Sequence, residues 1–128
     1  MKIEHIGLNV KDPQASATWY VENLGMRILK QGGPPTHGRF LVDSAGQAIV
    51  EIYRNEKAPI PDYATMDPVV LHMAIASANV RTDRQRLIDA GATPEGELIV
   101  TPEGDELAVV RDPWGLALQL VKRGKSLI

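Results

Sequence analysis

Ile3-Glu4-His5-Ile6-Gly7-Leu8-Asn9-Val10, near the start of the chain, is answered by Val69-Val70-Leu71-His72-Met73-Ala74-Ile75-Ala76, with the two histidines 67 positions apart. Each stretch alternates apolar and other residues with the period of a strand. A second pair keeps nearly the same distance. Glu51 lies in Ala48-Ile49-Val50-Glu51-Ile52-Tyr53-Arg54 and Gln119 in Leu116-Ala117-Leu118-Gln119-Leu120-Val121-Lys122, 68 positions later. A period of this length marks a duplicated module rather than a solenoid. Each half thus places a histidine on an early strand and a carboxylate or amide on a late one.

The intervening residues repeat as well. Asp12-Pro13 starts a helix, with Asp12 as N-cap and Pro13 at the first helical position. Trp19, Tyr20 and Leu24 give that helix an apolar face, and Gly25 ends it. Short strands are expected near 26–31 and 38–43, joined through the loop Gln31-Gly32-Gly33-Pro34-Pro35, and a stronger one at 47–54. The second half reads as a strand near 69–76, a helix near 79–90 stopping at Gly91, strands near 93–99 and 106–111, the turn Asp112-Pro113-Trp114-Gly115, and a last strand at 116–122. Both halves are strand–helix–strand–strand–strand. The expected organisation is one domain over 1–128, with a first module at about 1–54, a linker at 55–67 containing Pro59 and Pro61, and a second module at about 68–123.

Side chains alternate between the two faces of a strand. Ile6, Leu8 and Val10 share one face of the first strand, and His5 lies on the other. Val50 and Ile52 oppose Glu51; Leu71, Met73 and Ile75 oppose His72; Leu116, Leu118 and Leu120 oppose Gln119. The wholly apolar faces suit helix packing. The opposite faces combine apolar residues with a few convergent polar groups, the composition of a pocket wall. Four such polar side chains are costly to bury unpaired, and a metal ion would satisfy all of them.

Bulk properties narrow the function. The 128 residues are 44% hydrophobic and 23% charged, ordinary values for a globular protein. With a net charge of −2 and a pI of about 5.9 there is no phosphate-neutralising footprint, so no nucleic-acid partner is expected. The absence of cysteine excludes disulfides and thiolate ligands, leaving nitrogen and oxygen donors for any metal. No apolar run approaches the roughly 20 residues of a membrane helix. No signal peptide precedes the first strand, and a cytoplasmic protein is the default expectation.

These motifs, with Tyr20-Val21-Glu22-Asn23-Leu24-Gly25-Met26 and Asp112-Pro113-Trp114-Gly115 added, resemble those of the vicinal oxygen chelate superfamily, which includes glyoxalase I, bleomycin-resistance proteins, methylmalonyl-CoA epimerase and extradiol dioxygenases. The resemblance covers essentially residues 1–123. It implies an α+β fold of two tandem βαβββ modules forming a curled mixed sheet around a cleft, with helices on the outer face. It implies metal ligands at His5, Glu51, His72 and Gln119, and a homodimer. Many metal-dependent members carry glutamate at the fourth position, where this chain has the uncharged Gln119.

An N2O2 donor set suits a borderline divalent ion such as Zn, Ni, Co, Mn or Fe. Such an ion would act as a Lewis acid on a small substrate with adjacent oxygens. Glu51, the only carboxylate in the set, would be both ligand and catalytic base. The expected activity is that of a glyoxalase-like lyase or isomerase. Two alternatives stand beside it: an Fe(II) extradiol-type dioxygenase, whose carboxylate would fall where Gln119 stands, and a metal-free binding protein of the bleomycin-resistance type. Tyr53, on the Glu51 face, is a candidate for substrate contact. His37 reads as a solvated loop residue, and Glu95, Glu97, Glu103 and Asp105 as solvated surface. No Arg/Lys cluster commits the site to a particular substrate.

Overall fold

The computed structural model describes Met1–Leu127. In chain order the elements are β1 (Ile6–Asn9), α1 (Pro13–Leu24), β2 (Arg27–Gln31), β3 (Arg39–Val42), β4 (Ile49–Tyr53), a 3-10 turn (Tyr63–Thr65), β5 (Met73–Ala76), α2 (Val80–Asp89), β6 (Thr93–Val100), β7 (Glu106–Arg111) and β8 (Ala117–Lys122). The strands form two four-stranded sheets, β1-β4-β3-β2 and β5-β8-β7-β6. In each, the first strand runs parallel to the last, and the other pairings are antiparallel. The architecture is therefore α+β with two βαβββ modules, one in each of two compact units that divide after Pro61.

Both helices start as their sequences dictate. The Asp12 carboxylate accepts the Ala15 N–H at 2.9 Å, and Asn79 Oδ1 accepts the Thr82 N–H at 3.1 Å. Gly25 closes α1 with φ +67, a conformation that carries no penalty without a Cβ. Asp12→Ala is expected to destabilise the protein by about 1 kcal/mol, read from the urea midpoint at unchanged slope.

In the first unit α1 packs on β2, β3 and β4, burying Ala17 and Tyr20 together with Leu41, Val50 and Ile52. In the second, α2 packs on β6, β7 and β8, where Val80, Leu87, Val110, Leu118 and Leu120 are buried. The strand period thus sorts Val50 and Ile52 from Glu51, and Leu118 and Leu120 from Gln119, as alternation requires. At one border of each sheet the pairing breaks register, β2 with β3 between Ile28 and Lys30 and β6 with β7 between Glu95 and Ile99, whereas β1 with β4 and β5 with β8 stay in register.

Two details depart from the sequence pattern. Ile6 is exposed although it shares the apolar face of β1, because the main contacts of α1 are with β2, β3 and β4. Residues 69–71 are turn and bend rather than strand: the Val70 N–H donates to the Asp67 carbonyl at 2.9 Å and the Val69 N–H to the Asp67 carboxylate at 2.8 Å. The first strand likewise begins only at Ile6 rather than Ile3, so each histidine stands one residue ahead of its strand, His5 before Ile6 and His72 before Met73.

Candidate functional site

In the first unit the register sets Gly7 and Phe40 on either side of Glu51. His5, two residues before Gly7, reaches back over the same face. Its Nε2 lies 3.3 Å from Glu51 Oε2, and its ring meets the edge of Phe40 with centroids 5.3 Å apart. Two glycines border the Glu51 carboxylate. A Cβ on Gly7 would lie 3.8 Å from Glu51 Oε2, and one on Gly38 would lie 3.9 Å from Glu51 Oε1. The Glu51 side chain is 25% exposed beside these two glycines. Tyr53 lies against Gly7, where a Cβ would meet its Cε1 at 3.3 Å and its hydroxyl at 3.4 Å. The structure therefore brings His5, Glu51 and Tyr53 onto one surface.

In the second unit Ala74 and Val109 flank Gln119 in register. Gln119 is half-buried between the buried Ala117 and Val121. His72 is exposed at the head of β5, two residues before Ala74, and repeats the placement of His5 relative to Gly7. Within neither unit are three or more His, Asp or Glu side chains of the described residues placed together so as to hold a metal ion. His5 and Glu51 approach each other in the first unit, and in the second His72 stands two residues before Ala74, the register partner of Gln119.

The two histidines share a feature that the sequence did not reveal. His5 Nδ1 is hydrogen-bonded to the Glu4 carboxylate, and His72 Nδ1 to the Pro68 carbonyl at 2.7 Å. An ionised carboxylate and a carbonyl only accept, so Nδ1 carries the hydrogen in both rings. In each neutral imidazole the lone pair is left on Nε2, the orientation that an outer oxygen partner gives to metal-binding histidines. In His5 that nitrogen faces Glu51. The donor chemistry of the pair fits a borderline divalent ion.

The hydrogen bond to Glu4 raises the His5 pKa above its ordinary 6.5. Desolvation works against that shift, and the charges of Glu4 and Glu51 reinforce it. A raised imidazole pKa stabilises the fold fully below the ordinary value, and this contribution is lost as pH rises through the raised one. The Asp105 carboxyl is shifted the other way, held below 3.8 by the Gly124 N–H and by Arg123. Its contribution is present above that range and is lost as pH falls through the lowered value.

Two of the acidic residues read as solvated surface are engaged. Asp105 holds Arg123 and Gly124, and Glu95 accepts from Arg111 Nε at 2.7 Å. The Tyr63 and Gly115 carbonyls accept from Arg111 Nη1, and the Met66 carbonyl from Nη2. His37 lies in its loop with φ +49, half-buried, and its carbonyl accepts from Arg39. A groove of about 680 Å³ beside α2 and β6 is lined by Arg81, Arg84, Asp89 and Glu97 among others, and by none of the predicted site residues.

Residues 2–120 match the model of the Glyoxalase/Bleomycin resistance protein/Dioxygenase superfamily. The chain belongs to that superfamily, which includes both enzymes and non-enzymatic binders. No curated protein matches it significantly. Among solved structures it is similar to a glyoxalase family protein from Enterococcus faecalis, with 26% identity, a TM-score of 0.71, and coverage of 94% of this chain and 97% of that one. TnmS3, an antibiotic binding protein from Streptomyces, shares the fold at 20% identity and a TM-score of 0.70, over 96% and 98% of the two chains. A glyoxalase I mutant from Zea mays also shares it, at 24% identity and a TM-score of 0.74, over 97% of this chain and 46% of that one. No helix of the described residues is long and apolar enough to cross a membrane.

Proposed function

We propose that the protein is a glyoxalase-like metalloenzyme, a lyase or isomerase acting on a small substrate with adjacent oxygens. The observation that carries this reading is the approach of His5 Nε2 to Glu51 Oε2 at 3.3 Å, with His5 Nδ1 already engaged by Glu4. The proposed ligand set is His5, Glu51, His72 and Gln119, used by a homodimer. A bound Zn, Ni, Co, Mn or Fe ion supplies Lewis acidity to the substrate oxygens. Glu51 removes the proton from the carbon beside those oxygens and returns it to the neighbouring atom, so the step is redox-neutral within the substrate. Tyr53, lying against Gly7 beside Glu51, walls the substrate on that side.

A metal-free small-molecule binder is the second reading. It is favoured by the second unit, where the uncharged Gln119 holds the register position that Glu51 holds in the first. Elemental analysis of the purified protein, followed by calorimetric titration with Co(II), Ni(II) and Zn(II), separates the two. Stoichiometric metal that is lost in His5→Ala and His72→Ala supports the enzyme. No binding of any of these ions sinks it in favour of the binder. Iron with oxygen-dependent turnover of catechols would instead favour the dioxygenase branch.

Metal binding should depend on pH with a sign opposite to that of the histidine's effect on stability. The ion requires neutral imidazole, so affinity falls as pH drops through the raised His5 pKa. Glu4→Gln removes the largest cause of that rise and is expected to move the midpoint of Co(II) binding to lower pH. An unmoved midpoint would contradict the assignment.

A further inference from the structure

Arg39 is 9% exposed, yet none of the ion pairs among the described residues involves it. Its hydrogen bonds run from a single nitrogen. Nη1 donates to the carbonyls of Gly32 at 2.9 Å, His37 at 2.8 Å and Gly38 at 3.2 Å. Nε and Nη2 find no protein acceptor among the described residues. The buried side-chain polar atom left without a partner there is Arg84 Nε, so the two free nitrogens of Arg39 keep access to solvent. Nε–H and Nη2–H form the side-on edge of the guanidinium, the edge that takes two oxygens of one carboxylate or phosphate.

Arg111 shows how the same fold treats a comparable arginine. It too is largely buried, with 11% of its side chain exposed, and its Nη1 likewise donates to two backbone carbonyls. There, however, the Nε position carries the Glu95 carboxylate at 2.7 Å, and Nη2 donates to Met66. A loop clasp made by carbonyls accounts for Nη1 in both residues. It does not account for a mostly buried positive charge left unopposed, since buried charges are ordinarily paired.

We infer that the Nε–Nη2 edge of Arg39 is a binding site for a small oxyanion, a carboxylate or phosphate group, which takes the place that Glu95 takes on Arg111. The site is independent of the metal reading. Arg39 pairs in register with Ile52, whereas Glu51 pairs with Phe40, so the two lie on opposite faces of their strands. The loop 32–38 presents Arg39 through its carbonyls and supplies no competing carboxylate, since it contains neither Asp nor Glu.

Nitrogen-15 NMR of the full chain, with the arginine Nε–Hε signals assigned through bonds, tests this without any variant. Inorganic phosphate and, separately, acetate are titrated at constant ionic strength. A saturable shift of the Arg39 Nε–Hε signal, with other arginines moving weakly and linearly, is the expected result. Saturation by phosphate alone identifies a phosphate site, and saturation by both identifies a general oxyanion site. Arg39→Lys keeps the charge but loses the two-point edge, and is expected to weaken binding about tenfold. An Arg39 signal that moves no more than those of surface arginines overturns the inference, as does a folded R39K variant that binds phosphate as the native chain does.

Discussion

Glu51→Gln is expected to abolish turnover while leaving metal affinity only modestly reduced. The amide keeps an oxygen at the position now 3.3 Å from His5 Nε2 and fills the same space between Gly7 and Gly38. It cannot accept a proton from carbon. Loss of a positioned general base costs about 100- to 10,000-fold in rate. Metal content by elemental analysis and steady-state turnover, measured on the same preparation, check the two halves of the expectation. Retained activity would remove Glu51 from proton transfer. Lost metal together with lost activity would make it a ligand alone. The second unit supplies the natural contrast, because Gln119 already has the amide in the equivalent register position, opposite Ala74 as Glu51 is opposite Gly7.

Gly115→Ala should carry the largest effect on stability. Gly115 has φ +96, and a Cβ there would lie 2.6 Å from the Ala64 nitrogen and 2.7 Å from Ala64 Cα and Cβ. The obstacle is backbone, so no rotamer change relieves it. The neighbourhood is also tightly bonded. Asp112 Oδ1 accepts from Trp114 N and Leu116 N at 2.9 Å each, and Arg111 Nη1 donates to both Gly115 and Tyr63 carbonyls. Left-handed backbone costs a residue with a Cβ about 1–2 kcal/mol, and forced overpacking adds about 1–3 kcal/mol. A loss of about 3 kcal/mol is expected in urea unfolding. Gly46→Ala separates the two terms, because Gly46 has φ +74 with nothing within 4 Å of its would-be Cβ. That variant should lose about 1 kcal/mol, the backbone contribution alone. Equal losses in the two variants would show that the approach to Ala64 costs nothing.

The duplicated architecture was legible because it rests on local chemistry. Asp12-Pro13 and Gly25 fix the ends of α1, and strand alternation sorts Glu51 from Val50 and Ile52 whatever surrounds them. The start of β5 was not legible. Val69 and Val70 have strand-like side chains, but the Asp67 carboxylate and carbonyl draw their N–H groups into a turn. Of the site, the placement of Glu51 away from the apolar face of Val50 and Ile52 followed from strand alternation, whereas its approach to His5 did not. The Nδ1 partners did not: one is the adjacent Glu4, and the other is a backbone carbonyl that sequence patterns do not encode. Arg39 and Arg111 were invisible for a similar reason, since most of their partners are carbonyls placed by loops and turns.

The broken registers of β2 against β3 and of β6 against β7 bear on how this chain behaves at high concentration. β2 and β6 are outer strands of their sheets, and apolar side chains such as Ile28, Leu29, Ile99 and Val100 are exposed on them. A flat strand of that composition would be a template on which a neighbouring molecule could add its own strand and nucleate fibrils. An irregular ladder twists the outer strand and interrupts the regular row of free N–H and carbonyl groups. Lys30, Glu95 and Glu97 add charge along the same strands, and Pro94 removes a donor. Duplicating a module doubles the number of such borders, and β2 and β6 carry the same interruption at the corresponding border of each copy.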